Sequence, residues 1–157
     1  MARERGFYVD TVERTSTAGA DALWAAVEGL GGERGWHGTD RLWFLRALPN
    51  RASLPPSRLR HREDPDRLAE GRRLDWWTVE ALERGRHLRL RSLVRMPGEA
   101  WLDIALLPGP AGTVRYRQTT VFRPAGPAGH LYWYAMLVPH RAVLGRLADD
   151  VLRAAAG

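Results

Sequence analysis

The sequence contains no cysteine and no lysine. The absence of cysteine in 157 residues excludes disulfide bonds, a thiol nucleophile and metal ligation by thiolates. All 24 basic residues are arginine, so Schiff-base chemistry and a lysine-containing phosphate loop are excluded too. The longest apolar run, Leu131 to Val138, is far shorter than the ~20 residues of a membrane span. The N-terminus lacks the apolar region of a signal peptide, and we expect a cytoplasmic protein without a membrane span.

The length and composition are those of one globular domain, which we expect to span residues 1–157. Hydrophobic residues make up 45% of the chain and charged residues 27%. The formal net charge of +6 raises the question of nucleic-acid binding. The arginines are interleaved with 18 acidic residues instead of forming a basic cluster, which is typical of a salt-bridged surface. We therefore expect no nucleic-acid partner.

Alternating apolar and polar residues predict an antiparallel sheet. A first strand is predicted over Phe7 to Thr15 and a second over Arg41 to Leu48. Short turns join the last four predicted strands, which indicates a meander. These four strands cover Arg73 to Leu82, His87 to Arg95, Glu99 to Leu107 and Thr113 to Arg123.

Helical spacing marks two further segments. Ala18 to Gly29 is predicted as a helix capped by Ser16 or Thr17. A long helix is predicted from His130 to the end of the chain, with a kink at Pro139. One stripe of this helix should face the sheet; it consists of Trp133, Leu137, His140, Leu144, Leu147 and Val151. The Pro49 to Pro65 segment has no regular pattern and is interpreted as either a lid or a disordered loop.

The chain resembles a known but uncharacterised bacterial family. Four segments carry the resemblance: Gly35-Trp36 with Leu42-Trp43, Leu74 to Val79, Met96 to Leu102, and Tyr132 to Tyr134 followed by Pro139-His140. That family is grouped with the START-like (SRPBCC, polyketide cyclase/dehydrase) superfamily and often follows an NAD-dependent epimerase-like domain. The resemblance implies an α+β helix-grip fold, in which a curved antiparallel sheet wraps around a long C-terminal helix and leaves an internal cavity.

Two titratable residues are candidate acid/base groups. His140 lies on the inward stripe of an otherwise apolar helix, where an imidazole can exchange a proton with a ligand. Asp75 is predicted on an inward strand face beside Trp77. If Asp75 and His140 lie close together, they would form a simple proton relay. The alternatives are a core histidine satisfied by a carbonyl or an acid, and an aspartate that caps a turn or pairs with Arg72 or Arg73.

Polar and aromatic residues on the inward faces are candidate ligand contacts. Gln118 and Ser92 are placed to orient a ligand carbonyl or hydroxyl, or are simply satisfied within the core. Aromatic walls suit a flat, partly oxygenated ligand, although many of these side chains also fit a large core. The remaining predicted lining residues are Trp36, Trp43, Trp77, Tyr116, Trp133 and Leu137.

The sequence therefore predicts binding of a hydrophobic small molecule, polyketide-like or aromatic, between the sheet and the last helix. Any catalysis would be cofactor-free cyclisation, dehydration or isomerisation. The histidines occur singly, so no metal is expected, and without a GxGxxG motif or a fused epimerase domain no nucleotide cofactor is expected either. The alternatives are a non-catalytic carrier or sensor and a docking module for a separate NAD-dependent oxidoreductase. The protein is expected to be a monomer or a homodimer.

Overall fold

The computed structural model describes residues 2–4, 6–32, 35–36, 62–64 and 66–157. Within these residues the chain forms one seven-stranded antiparallel sheet and two α-helices. The sheet order is β1-β2-β7-β6-β5-β4-β3, so the last strand lies beside the second and the chain closes back on its beginning. The strands are β1 (Ala2–Glu4), β2 (Phe7–Ser16), β3 (Arg73–Leu74), β4 (Trp77–Glu83), β5 (His87–Ser92), β6 (Gly98–Pro108) and β7 (Val114–Pro124).

The alternation of residues along β5, β6 and β7 divides the sheet into a wet face and a buried face, as predicted. Leu88 and Leu90 of β5 are fully buried, whereas Arg91 is exposed. The register continues this pattern, because Leu90 lies opposite Leu102 of β6 and Leu102 lies opposite Thr120 of β7. The buried face is therefore continuous across the centre of the sheet.

Two helices pack on the buried side of the sheet. Helix α1 (Ala20–Glu28) is shorter than predicted, and Gly19 occupies its N-cap position without a side-chain hydrogen bond. The predicted cap was wrong, because Ser16 instead accepts a hydrogen bond from the Ala18 amide. Helix α2 (Gly126–Ala156) is 31 residues long and runs through Pro139.

Helix α2 begins four residues earlier than the sequence indicated. The helix was predicted to start at His130, but Pro127 already lies in its first turn. Proline is favourable there, because the first amides of a helix have no partner within the helix. The early start places Gly129 against the connection between β5 and β6.

Asp75 lies in a turn and not on a strand face. The sequence predicted one strand from Arg73 to Leu82, whereas Asp75 and Trp76 form the turn between β3 and β4. Asp75 has a φ of 54°, a left-handed conformation that aspartate tolerates better than most side chains. The register then shifts between Val79 and Ala81, so the predicted period of two does not continue along β4.

The buried apolar side chains form two clusters. The larger one packs α1 and the C-terminal half of α2 onto the sheet through residues such as Leu23, Leu102 and Leu147. The smaller one is built from Tyr8, Ala100, Phe122 and Trp133 at the N-terminal half of α2. The predicted inward stripe of α2 thus divides between two clusters.

Candidate functional site

A cleft opens between the N-terminal half of α2 and the centre of the sheet. Its empty volume is about 280 Å³ with its open mouth included. The enclosed part is narrow and has room for about one water molecule. The lining side chains come from the β5–β6 connection, β6, β7 and α2; they are Met96, Ala100, Thr120, Phe122, Tyr132, Trp133, Met136 and His140.

Stacked aromatic rings form one wall of the cleft. Trp133 lies nearly parallel to Tyr8, with 5.0 Å between ring centroids, and nearly parallel to Phe122, with 5.7 Å. Tyr8 and Phe122 are direct partners across β2 and β7, so the sheet register brings both rings to the same helical residue. Tyr8 also hydrogen bonds to Nδ1 of His130 at 2.8 Å. This wall is fixed by packing from both the sheet and the helix.

Two polar side chains, Thr120 and His140, lie among the apolar residues that line the cleft. Thr120 is 3% exposed, and its hydroxyl has no hydrogen-bond partner among the described residues. His140 is 7% exposed, and its ring centroid lies 6.1 Å from that of Trp133. The cleft therefore combines carbon- and sulfur-rich walls with a hydroxyl and an imidazole.

An ion pair with a buried carboxylate and a half-exposed guanidinium lies beside these polar groups. Asp10 of β2 is opposite Thr120 in register and 5% exposed. Its carboxylate accepts two hydrogen bonds from Arg141, at 3.0 and 3.1 Å. This hydrogen-bonded carboxylate raises the pKa of Arg141. Because Arg141 follows His140, the pair fixes the turn of α2 that carries the histidine.

Gln118 and Tyr116 are engaged with each other and with the helix. The Tyr116 hydroxyl donates to Oε1 of Gln118 at 2.8 Å, and Nε2 of Gln118 donates to the carbonyl of Leu144 at 3.2 Å. Burial raises the pKa of Tyr116 well above its usual value. Both side chains face inward as predicted, and their hydrogen bonds join β7 to the C-terminal half of α2.

Asp75, Trp36 and Trp77 belong to the larger cluster, away from the residues that line the cleft. Asp75 accepts hydrogen bonds from the Gly32 amide at 3.1 and 3.2 Å and from Nε1 of Trp36 at 2.8 Å. Trp36 stacks on Trp76, and Trp77 is buried in the same cluster. These contacts give Asp75 the role of a buried turn residue and leave His140 as the predicted acid/base candidate at the cleft.

The other predicted contacts are distributed over different places. Leu137 packs against the smaller cluster beside Trp133. Ser92 lies at the end of β5, where its hydroxyl accepts a hydrogen bond from the Val94 amide at 3.2 Å. Trp43 lies outside the described residues, as do the strand predicted over Arg41 to Leu48 and nearly all of the predicted Pro49 to Pro65 loop.

Sequence reasoning missed several participants in the site. Asp10 was not singled out, although its spacing of two from Tyr8 places it on the same face of β2. Thr120 was assigned to the inward face of β7 but not to the site. The methionines Met96 and Met136 left no pattern of their own, because the first lies in a connection and the second beside the predicted stripe.

The described part of the chain contains neither a candidate metal site nor a candidate membrane-spanning helix. No group of three or more histidine or carboxylate side chains is arranged to hold a metal ion there. No helix among the same residues is long and apolar enough to cross a membrane.

Comparison with solved structures identifies the fold. Truncated norcoclaurine synthase from Thalictrum flavum matches with a TM-score of 0.57 at 11% identity, over 94% of this chain and 92% of that one. The same enzyme in complex with dopamine and hydroxybenzaldehyde matches with a TM-score of 0.54 at 12% identity, over 94% and 85%. DynU16, from the dynemicin biosynthetic locus, matches with a TM-score of 0.54 at 15% identity, over 92% of this chain and 46% of that one. At these identities the likeness establishes the α+β helix-grip fold of START-like proteins.

Sequence comparison identifies the family. A search of curated protein sequences finds no match. The model of one family, described as proteins of unknown function (DUF2867), matches residues 4–147. The chain therefore belongs to the DUF2867 family and has an α+β helix-grip fold.

Proposed function

We propose that this protein binds a small aromatic molecule in the cleft between α2 and the sheet. The observation that carries the proposal is the set of aromatic and methionine side chains around an opening with a hydroxyl and an imidazole at its inner side. Such a combination of apolar walls and few polar groups is typical of small-molecule sites. The related fold of norcoclaurine synthase, solved with dopamine and hydroxybenzaldehyde, supports an aromatic guest.

The size of the cleft favours one ring over a fused polyketide. A cavity of about 150 Å³ in a protein core accommodates benzene, whereas the enclosed part of this cleft has room for about one water molecule. The enclosed part is smaller than a ring, so binding requires side chains to move. Met96 and Met136 are suited to this movement, because unbranched methionine side chains change rotamer easily.

Proton transfer at this site would fall to His140. An imidazole titrates near neutral pH and can either donate or accept a proton. The Asp10–Arg141 ion pair holds the adjacent turn of the helix, which fixes the position of the ring relative to the cleft. We propose a cofactor-free isomerisation or dehydration as the reaction. The alternative is a non-catalytic carrier, and it is favoured if His140→Ala leaves the conversion of the bound ligand unchanged.

The methionines provide a direct test of binding. The chain contains three methionines, and two of them line the cleft. In protein labelled with ¹³C on the methionine methyl groups, titration with 4-methylphenol should shift the Met96 and Met136 signals and reach saturation. Methyl signals that do not move, or that drift without saturating, would contradict the proposal.

A matched pair of alanine substitutions controls this test. Ala100 faces the cleft from β6, whereas Ala105 of the same strand faces the outer side. Ala100→Leu fills the cleft and should abolish the shifts, and Ala105→Leu should leave them unchanged. Circular dichroism establishes that both variants keep the fold.

A second candidate function, docking to another protein, is favoured by an exposed apolar face of α2. Leu131 is 73% exposed, Tyr134 is 58% exposed and Val138 is 78% exposed, and their spacing places them on one side of the helix. A double substitution, Leu131→Glu with Val138→Glu, separates the two functions. Retained 4-methylphenol binding assigns the ligand to the cleft alone, and lost binding makes this face part of the ligand site.

A further inference from the structure

The hydroxyl of Thr120 is a polar group of the cleft whose presence the contacts within the described structure do not explain. It is buried at the cleft and has no hydrogen-bond partner among the described residues. An unsatisfied buried hydroxyl disfavours the folded state, because it has lost its hydrogen bonds to water without replacement. A valine has nearly the same shape and would fill the same place without this cost. The presence of threonine therefore indicates a partner from outside the chain, which is either a single water molecule or an oxygen of a bound guest.

The surroundings of Thr120 limit the chemistry of that partner. Apart from Thr120 and His140, the cleft is lined by Ala100, two methionines and three aromatic residues; one of these, Trp133, carries a second buried polar atom, Nε1, without a hydrogen-bond partner among the described residues. The enclosed part has room for about one water molecule, which is the size of a single oxygen-bearing substituent. The ring of the guest must then lie towards the mouth, between Met96, Tyr132 and Met136.

The charge of the guest follows from the neighbouring ion pair. Three arginines directly adjoin cleft residues in the sequence: Asp10 engages Arg141 with two hydrogen bonds, Glu99 engages Arg123, and Arg95 is exposed. A carboxylate guest would find the Arg141 and Arg123 guanidinium groups occupied and would lose its hydration without gaining a buried paired charge. A neutral guest avoids that loss.

We propose that the ligand of this cleft is a neutral single-ring aromatic compound with one hydroxyl or carbonyl oxygen, which hydrogen bonds to the Thr120 hydroxyl. This inference rests on the proposed function and specifies the ligand class. It also assigns Thr120 as the residue that distinguishes an oxygenated ring from the corresponding hydrocarbon. A hydroxyl is suited to either kind of oxygen, because it both donates and accepts hydrogen bonds.

Three probes of similar size test the ligand class: toluene, 4-methylphenol and 4-methylbenzoate. Their dissociation constants are measured by calorimetry and by the methionine methyl signals. We expect 4-methylphenol to bind about tenfold more tightly than toluene, which is the effect of one recovered hydrogen bond. We expect 4-methylbenzoate to bind more weakly than 4-methylphenol.

Substitutions at Thr120 test the assigned residue. Thr120→Val should lower the affinity for 4-methylphenol to that for toluene and leave toluene binding unchanged, whereas Thr120→Ser should keep the preference. Thr119→Val is the matched control, because Thr119 lies on the outer face and hydrogen bonds to Thr11. It should change neither affinity. The serine variant keeps the test decisive if the valine variant does not fold.

The outcomes separate this inference from the function on which it rests. If none of the probes binds, the proposed function fails and the inference fails with it. If toluene and 4-methylphenol bind equally well, the cleft still binds aromatic rings but the inference is overturned. If Thr120→Val still prefers 4-methylphenol over toluene, the role of Thr120 is overturned. If 4-methylbenzoate binds more tightly than 4-methylphenol, the neutral charge of the ligand is overturned.

Discussion

Two glycines of helix α2 should respond in opposite directions to the same substitution. Replacing glycine with alanine inside a helix usually adds about 1 kcal/mol to the free energy of unfolding. At Gly145 a new Cβ meets nothing within 4 Å, so Gly145→Ala should show this full gain. At Gly129 the Cβ would lie 2.8 Å from Cα of Pro124 and closer still to the carbonyl oxygen of Pro97.

The contacts at Gly129 are with backbone atoms, which cannot rotate away as a flexible side chain can. Overpacking of this kind costs about 1–3 kcal/mol, and the helical gain of about 1 kcal/mol offsets only part of a typical cost. Gly129→Ala should therefore lower the free energy of unfolding by about 1 kcal/mol, while Gly145→Ala raises it and raises Tm by about 3 °C. Urea denaturation of both variants measures the difference. If both variants are stabilised equally, the close approach of α2 to Pro97 is wrong.

Two further predictions concern hydrogen bonds and charge. Tyr116→Phe removes the hydroxyl that donates to Gln118 and leaves a buried amide oxygen unsatisfied. It should therefore lower the free energy of unfolding, measured by urea denaturation, by about 1–3 kcal/mol. An unchanged urea midpoint would contradict the role of this hydrogen bond. The guanidinium groups of Arg91 and Arg123 lower the pKa of Glu99 below 4.5, so its stabilisation is present above that pH and is lost as the pH falls through the lowered value. Glu99→Gln should therefore reduce the urea midpoint at about pH 6, and this reduction should shrink as the pH falls below the usual pKa of a glutamate. A reduction of constant size over this pH range would refute this explanation.

The sheet could be predicted closely because its strands follow simple alternation. The buried pair Leu88 and Leu90 and the arginines between and after them show a period of two that only a half-buried strand satisfies. The predicted strand over Glu99 to Leu107 differs from the observed β6 by one residue at each end. Local pattern and tertiary packing agree in these strands.

Turns and helix ends were less predictable, because their cause lies outside the local pattern. Asp75 adopts a left-handed turn that is held by hydrogen bonds from Gly32 and Trp36, about forty residues earlier in the chain. The early start of α2 depends on Gly129 fitting against Pro97. A sequence pattern contains neither contact.

The site was half predictable for the same reason. His140 and Trp133 could be found because they interrupt or extend one helical stripe, and both line the cleft. Asp10 and Thr120 lie far apart in the sequence, and only the pairing of β2 with β7 brings them side by side.

The central claim is that an aromatic guest occupies the cleft with its oxygen at Thr120. A crystal structure of the protein with 4-methylphenol measures this directly. We predict electron density for the ring between Met96 and Met136, with the phenol oxygen within about 3 Å of Oγ1 of Thr120, the length of an O–H···O hydrogen bond. Density for the guest elsewhere on the protein, with the cleft closed by its own side chains, would contradict the account.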